Sequence, residues 1–189
     1  VQRSNGVFGK SGTGKTFLTR LLLIGILQSQ EAVNLVFDMQ SEYGWKGSSE
    51  GGSEVKGLKQ LFPSQVAVFS LDANSSRRRG LSPDAEVTIG YGEIEPEDIQ
   101  TLAETLNLTS LATEATYKLA RRYGQGKWLS EFLAIESREE LGALADELGE
   151  HDATISALHR RLERLGRFPF LAPTAPDDAV KRILEYLDR

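Results

Sequence analysis

Eight residues, GKSGTGKT at positions 9–16, constrain the fold of this chain more than any other stretch. They match the pattern G-x-x-x-x-G-K-[ST] at every position. In this pattern the glycines let backbone N–H groups curl around phosphate oxygens, the lysine reaches the terminal phosphates, and the last hydroxyl binds Mg²⁺. The octapeptide therefore predicts a nucleotide phosphate site formed by Gly9, Ser11, Gly12, Thr13, Gly14, Lys15 and Thr16, with Thr16 also a ligand of Mg²⁺.

The residues on either side of the octapeptide fit a phosphate-binding loop. The apolar stretch 6–8 predicts the end of a strand, and residues 15–28, apolar nearly all round, predict a helix packed against a sheet. The positive end of that helix dipole lies at the loop and favours an anionic ligand. Strand, loop and helix thus follow one another as such a site requires.

The first half of the chain alternates between strand-like and helix-like segments. Residues 33–37, 66–71 and 86–90 predict further strands, and residues 96–107 predict a helix with an acidic first turn. The Gly- and Ser-rich residues 44–57 predict a loop that leads into a short helix. This alternation is typical of an α/β fold with a mainly parallel sheet flanked by helices.

After Thr109 the strand signals stop, and apolar residues recur at helical spacing. The change predicts a P-loop α/β core over residues 1–110 and an all-helical subdomain or insertion over residues 111–189. The predicted helices of the second part are 111–122, 128–135, 139–148, 154–166 and 177–187.

Two carboxylates follow the predicted strand 33–37 in the stretch VFDMQSEYGW. Asp38 and Glu42 are four residues apart just beyond the strand end, so both can face the nucleotide edge of the sheet. They are candidate catalytic residues with Lys15, and Asp38 is a candidate Mg²⁺ ligand. The alternative is a solvated acidic loop, since strand ends often carry Asp.

Composition excludes several classes of protein. The chain has no cysteine and only two histidines, which excludes disulfides and Cys-based zinc sites, and its net charge of -5 argues against a generally basic nucleic-acid surface. Its longest apolar run, 17–27, is far shorter than the ~20 residues that span a bilayer. With no secretory leader recognised, we expect a cytoplasmic protein without membrane contact. We expect the basic run 77–79 to be solvated.

The spacing of GKSGTGKT and VFDMQSEYG is similar to the HerA/FtsK superfamily of P-loop ATPases, in which D-x-x-x-E-Y follows the P-loop by one helix and one strand. The closest type is HerA-like, and residues 6–45 carry the resemblance. It implies a RecA-like fold, ATP and Mg²⁺ as cofactors, and translocase or helicase activity on duplex DNA. It also implies a homo-oligomeric ring, for which a hexamer is one option, and a coupled nuclease as a candidate partner.

Transferred to this sequence, the resemblance makes Lys15 the phosphate lysine, Thr16 the Mg²⁺ hydroxyl, and Asp38 and Glu42 the acidic pair beside the terminal phosphate. Glu42 is then the candidate for orienting or activating the attacking water. The main Walker B carboxylates of the family are expected after a further apolar strand, which this sequence lacks. We therefore expect a partial chain, in which hydrolysis requires residues beyond it.

Two other functions remain open at the level of sequence. One is a kinase-type phosphotransferase for a small molecule, with Asp38 as base or metal partner. The other is a nucleotide-binding module that does not hydrolyse its ligand. A GTPase is disfavoured because the sequence has no N-K-x-D motif.

Overall fold

The computed structural model describes residues 6–48 and 54–188. The chain divides into two units, whose bounds differ from these ranges. The first unit contains the residues up to Glu86 together with those from Val180 onward. The second unit is continuous in sequence and runs from Val87 to Ala179. The predicted division near residue 110 lies inside this second unit, and as a division of domains it stays a prediction.

Helix α1 (Lys15–Ser29) follows the phosphate-binding loop and confirms the predicted helix 15–28. It begins after Gly14 and ends at Gln30, both of which have left-handed backbone conformations. Leu23 is buried, whereas Phe17 and Leu22 are 63% and 55% exposed. The helix therefore has apolar side chains on faces that the described part of the first unit leaves uncovered.

The strands predicted at 6–8 and 33–37 are wrong for this structure, because neither segment forms a ladder with any described strand. Val33 is 64% exposed and Phe37 is 85% exposed. A strand is defined by hydrogen bonds to a neighbouring strand, and the described residues place none beside either segment. Apolar composition alone does not supply that partner.

The remaining strands are short and occur in pairs. In the first unit, β1 (Gly47–Ser48) and β2 (Glu54–Val55) are antiparallel, while β3 (Phe69–Ser70) and β4 (Ala85–Glu86) are parallel. In the second unit, β5 (Ile89–Gly90) pairs in parallel with β6 (Leu171–Ala172). The protein is thus α/β with short parallel pairs. The predicted strand 66–71 is confirmed at β3, and the predicted strand 86–90 is divided between β4 and β5.

Two short helices complete the region before Glu86. Helix α2 (Leu58–Leu61) follows the Gly- and Ser-rich residues and ends before Pro63, as predicted. Helix α3 (Ala73–Arg78) begins at Asp72, whose Oδ1 accepts the backbone N–H of Ser75 at 2.8 Å. This carboxylate, which follows β3, therefore caps a helix.

The second unit is mainly helical, which confirms the helical prediction for this part of the chain. A 3-10 turn, Tyr91–Glu93, precedes the helices. The helices are α4 (Pro96–Thr101), α5 (Ser110–Tyr123), α6 (Trp128–Leu133), α7 (Arg138–Leu148) and α8 (Asp152–Leu162), followed by the 3-10 segment Glu163–Arg167. Helix α4 is shorter than the predicted helix 96–107.

The core of this second unit forms where the apolar faces of these helices meet. Trp128, Phe132, Ile155, Leu158 and Leu162 are fully buried within it. The indole N–H of Trp128 donates to the backbone oxygen of Ile94 at 2.9 Å, so its one polar group is satisfied.

The last helix, α9 (Ala179–Leu187), returns the chain to the first unit. Arg182 donates to the backbone oxygen of Glu86. The ring of Tyr186 meets Phe69 edge to face, with ring centres 5.2 Å apart. No helix of residues 6–48 and 54–188 is both long and apolar enough to cross a bilayer.

Candidate functional site

The phosphate-binding loop owes its shape to glycines with left-handed backbone conformations. Gly12 has φ 78° and Gly14 has φ 84°, a region that residues with a Cβ rarely adopt. A Cβ on Gly9 would lie 2.6 Å from the hydroxyl of Thr13, so a side chain there would disturb the loop. Both the hydroxyl and the backbone N–H of Thr13 donate to the carbonyl of Lys10, at 2.8 Å and 3.4 Å.

Lys15 is the first residue of α1, and its side chain folds back over the loop. Its Nζ donates to the backbone oxygen of Lys10 at 2.6 Å. The ammonium group therefore lies at the loop that is built to enclose phosphate. This is where the sequence pattern places a lysine that reaches terminal phosphates.

Thr16 and Glu42 are far apart in sequence but meet in the structure. The Thr16 hydroxyl donates to Oε2 of Glu42 at 3.0 Å, and both residues are half-buried. The contact joins the first turn of α1 to the segment that follows residues 33–37. The structure thus brings two of the predicted site residues together, while the prediction that Glu42 faces the nucleotide stays a prediction.

Asp38 uses its carboxylate to hold the loop that carries Glu42. Its Oδ1 accepts the N–H of Glu42 at 2.8 Å, and its Oδ2 accepts the N–H groups of Tyr43 and Gly44 at 2.8 Å and 3.3 Å. The left-handed conformation of Ser41, with φ 57°, turns the chain so that these N–H groups converge. The structure does not place Asp38 in hydrogen-bond contact with Thr16 among the described residues.

The same loop is anchored on its far side by α2. The N–H of Leu58 donates to the carbonyl of Tyr43 at 2.8 Å, and that of Lys59 donates to the carbonyl of Gly44 at 3.0 Å. At Gly57 a Cβ would lie 2.3 Å from the carbonyl carbon of Trp45. Glycine at this position therefore permits the close approach of the two backbones.

Sequence reasoning did not identify Arg20, which also belongs to this site. Its Nη2 donates to the backbone oxygen of Glu42. The available signal was helical spacing, because residues four apart lie on the same face of a helix and Arg20 is four residues after Thr16.

The donor set fits a nucleotide with Mg²⁺. Gly12 and Gly14 give the loop its left-handed turns, and Lys15 adds positive charge at the loop. The Thr16 hydroxyl and the Glu42 carboxylate supply oxygen atoms, the donors that Mg²⁺ prefers. Among the described residues there is no cluster of three or more His, Cys, Asp or Glu side chains that could hold a metal on its own. Such a site suits an ion that arrives with phosphate oxygens.

Two other polar features lie outside this site. In the basic run 77–79, Arg77 forms an exposed ion pair with Glu86. His159 is buried against the ring of Phe132, with ring centres 5.1 Å apart. Neither feature adds a group to the P-loop.

Comparison with known protein families gave one decisive match. The family described as "Helicase HerA, central domain" matches residues 1–189. This chain belongs to that family. The match covers the helical second unit as well as the P-loop, whereas the sequence resemblance covered residues 6–45. No curated protein and no solved structure matches the chain.

Membership in the HerA family confirms the resemblance that the two motifs indicated. Membership implies, at the level of the family only, an ATPase- or translocase-type function and a general dependence on nucleotide and Mg²⁺. The P-loop geometry and the Thr16–Glu42 contact are the parts of the structure that fit this function.

Proposed function

We propose that this HerA central domain binds ATP with Mg²⁺ and hydrolyses it to drive a DNA translocase or helicase. The observation that carries the proposal is the 3.0 Å hydrogen bond from the Thr16 hydroxyl to Glu42. It puts a carboxylate beside the P-loop residue that binds Mg²⁺ in the motif. We further propose that the nucleotide-binding core is RecA-like.

Each residue of the site has a proposed role. The loop glycines and Lys15 bind and orient the phosphates, and the Thr16 hydroxyl is a ligand of Mg²⁺. When bound, Mg²⁺ neutralises charge that develops on the phosphate oxygens. Glu42 orients or activates the attacking water. Catalysis would then rest on positioning and on charge stabilisation.

Asp38 has a structural role and a predicted metal role, and the two are compatible. Oδ1 accepts one backbone N–H group of the loop and so has a further lone pair, whereas Oδ2 accepts two N–H groups. We propose that Asp38 holds the loop so that Glu42 faces Thr16. A contribution of Asp38 to Mg²⁺ binding stays a prediction.

Paired variants test this assignment. We expect Lys15→Ala to lower ATP affinity and to reduce hydrolysis on the order of a hundred-fold or more, because it removes charge stabilisation of the phosphates. Glu42→Gln is expected to retain ATP binding and to slow hydrolysis by about a hundred-fold or more, the range of a lost general base. Both are measured in the full-length protein, binding with a fluorescent ATP analogue and hydrolysis by phosphate release.

The controls remove the same charges elsewhere. Lys56→Ala and Glu31→Gln change exposed side chains outside the contacts described above, and both variants are expected to behave as wild type. Equal ATP affinity in wild type and Lys15→Ala would contradict the placement of the nucleotide. Unchanged hydrolysis in Glu42→Gln would contradict the role of the carboxylate.

The molecule that accepts the terminal phosphoryl group of ATP distinguishes the proposed motor from the two alternatives. Phosphate release that duplex DNA stimulates supports the motor. Transfer to a small hydroxyl compound would identify a phosphotransferase instead, and tight ATP binding without turnover in the full-length protein would identify a binding module. We propose duplex DNA, a homo-oligomeric ring and a coupled nuclease as partners of the whole protein, and sedimentation with ATP and a DNA duplex tests the first two.

A further inference from the structure

We infer that Arg20 is a positioning residue that fixes the Glu42 carboxylate against the Thr16 hydroxyl. The inference rests on the proposed function, since it concerns the same site. Arg20 and Thr16 lie one turn apart on α1, and both contact Glu42: Thr16 binds its side chain and Arg20 binds its backbone oxygen. One face of helix α1 therefore contacts both the side chain and the backbone of Glu42.

The peptide unit between Glu42 and Tyr43 is held from both sides. Its oxygen accepts a hydrogen bond from Nη2 of Arg20, and its N–H donates to Oδ2 of Asp38 at 2.8 Å. The preceding N–H, that of Glu42 itself, donates to Oδ1 of Asp38 at 2.8 Å. With both adjoining peptide units restrained, only side-chain torsions remain to move the carboxylate of Glu42. The hydrogen bond from Thr16 then restrains these torsions as well.

The guanidinium of Arg20 has a hydrogen-bond donor without a partner among the described residues. Its Nε is buried and has no hydrogen-bond partner among the described residues. Nor do those residues supply a carboxylate that pairs with it. A buried donor without a partner opposes folding, so such a group needs an explanation other than stability. Among the described contacts of Arg20, the hydrogen bond from Nη2 to the backbone oxygen of Glu42 fixes the guanidinium in this position.

A double-mutant cycle tests whether Arg20 acts through Glu42. We expect Arg20→Gln to lower kcat about ten-fold or more, because small displacements of catalytic groups have effects of this size, while ATP affinity changes less than about two-fold. Added to Glu42→Gln, the same substitution is expected to have no further effect. Arg20→Lys, which keeps a cationic donor, is expected to recover part of the loss. Arg164→Gln changes an exposed arginine elsewhere and is the control.

Amide hydrogen exchange in the nucleotide-free protein provides a reading that does not need activity. Arg20→Gln is expected to speed exchange at Tyr43 by about ten-fold, since it frees one side of that peptide unit. Glu42→Gln keeps the backbone contacts and is expected to leave this exchange unchanged. The Leu119 amide, in the core of the second unit, reports whether the variant remains folded. If Arg20→Gln does not fold, Arg20→Lys serves in its place, with a smaller expected increase.

The outcomes separate this inference from the proposed function. If the wild type does not hydrolyse ATP, the proposed function fails, and exchange at Tyr43 still decides whether Arg20 holds the peptide. If the wild type is active, additive losses in the double variant overturn the positioning role. Unchanged exchange at Tyr43 in Arg20→Gln overturns it in either case.

Discussion

Replacement of Asp38 by alanine removes the acceptor for the N–H groups of Glu42, Tyr43 and Gly44. A hydrogen bond to a charged acceptor contributes about 1.5–3 kcal/mol. The carboxylate is half-buried, and the bond to Gly44 is long at 3.3 Å, so the lower values apply. The two bonds at 2.8 Å, at about 1.5 kcal/mol each, sum to about 3 kcal/mol for the local stability of this loop, and the long bond to Gly44 is left out of this sum.

The assay is amide exchange in the nucleotide-free protein. Because 1.4 kcal/mol corresponds to about ten-fold, Asp38→Ala is expected to speed exchange at these amides by about a hundred-fold. Asp38→Asn keeps one acceptor oxygen, which can serve the N–H groups of Tyr43 and Gly44. It should therefore raise exchange at Glu42 most, by about ten-fold.

Asp72→Ala is the matched control, since Asp72 also accepts a backbone N–H, that of Ser75 at the start of α3. It is expected to affect exchange in α3 and to leave the loop at Glu42 unchanged. Wild-type exchange rates at Glu42, Tyr43 and Gly44 in Asp38→Ala would refute the view that this carboxylate holds the loop.

Three further predictions concern stability. Gly57→Ala places a methyl group against the backbone of Trp45 and is expected to lower the thermal midpoint, whereas Gly25→Ala, with nothing within 4 Å of its Cβ, should stabilise α1 by about 0.5–1 kcal/mol. A thermal midpoint of Gly57→Ala equal to that of wild type would contradict the close approach of Gly57 to the backbone of Trp45. Trp128→Phe leaves a buried carbonyl without its donor and is expected to cost about 1–3 kcal/mol in urea unfolding, and an unchanged midpoint would count against that bond. Burial raises the pKa of Tyr123 above 10.0, so the neutral phenol contributes to the free energy of unfolding below that pH, and this contribution is lost as pH rises through the raised pKa. Tyr123→Phe is expected to reduce the loss of stability at alkaline pH. The same dependence of stability on pH in wild type and variant would contradict burial as the cause.

The parts of the fold that the sequence predicted best are those determined by local chemistry. Helix α1 was predicted to within one residue, because a glycine loop and a P-loop lysine define where it starts. Helices α5, α7 and α8 follow apolar spacing, and Thr109 and Ser137 cap the first two. These signals lie within a few residues of the element that they define.

The predictions that were wrong concern segments whose structure depends on residues distant in sequence. Residues 33–37 have strand composition, but a strand forms only where another backbone supplies hydrogen bonds. For the site, the sequence predicted Glu42 at the nucleotide edge, which stays a prediction, yet it did not distinguish Asp38 as a loop holder from Asp38 as a metal ligand. That distinction depends on the turn at Ser41, which directs backbone N–H groups to the carboxylate.

The return of the chain at Val180 has a consequence for the order of folding during synthesis. Residues 87–179 form a unit that is continuous in sequence, so they can fold once they have left the ribosome. The contacts of Arg182 with Glu86 and of Tyr186 with Phe69 must wait until this whole intervening unit has been made. The unit that contains the P-loop therefore starts before the helical unit along the chain and is completed after it.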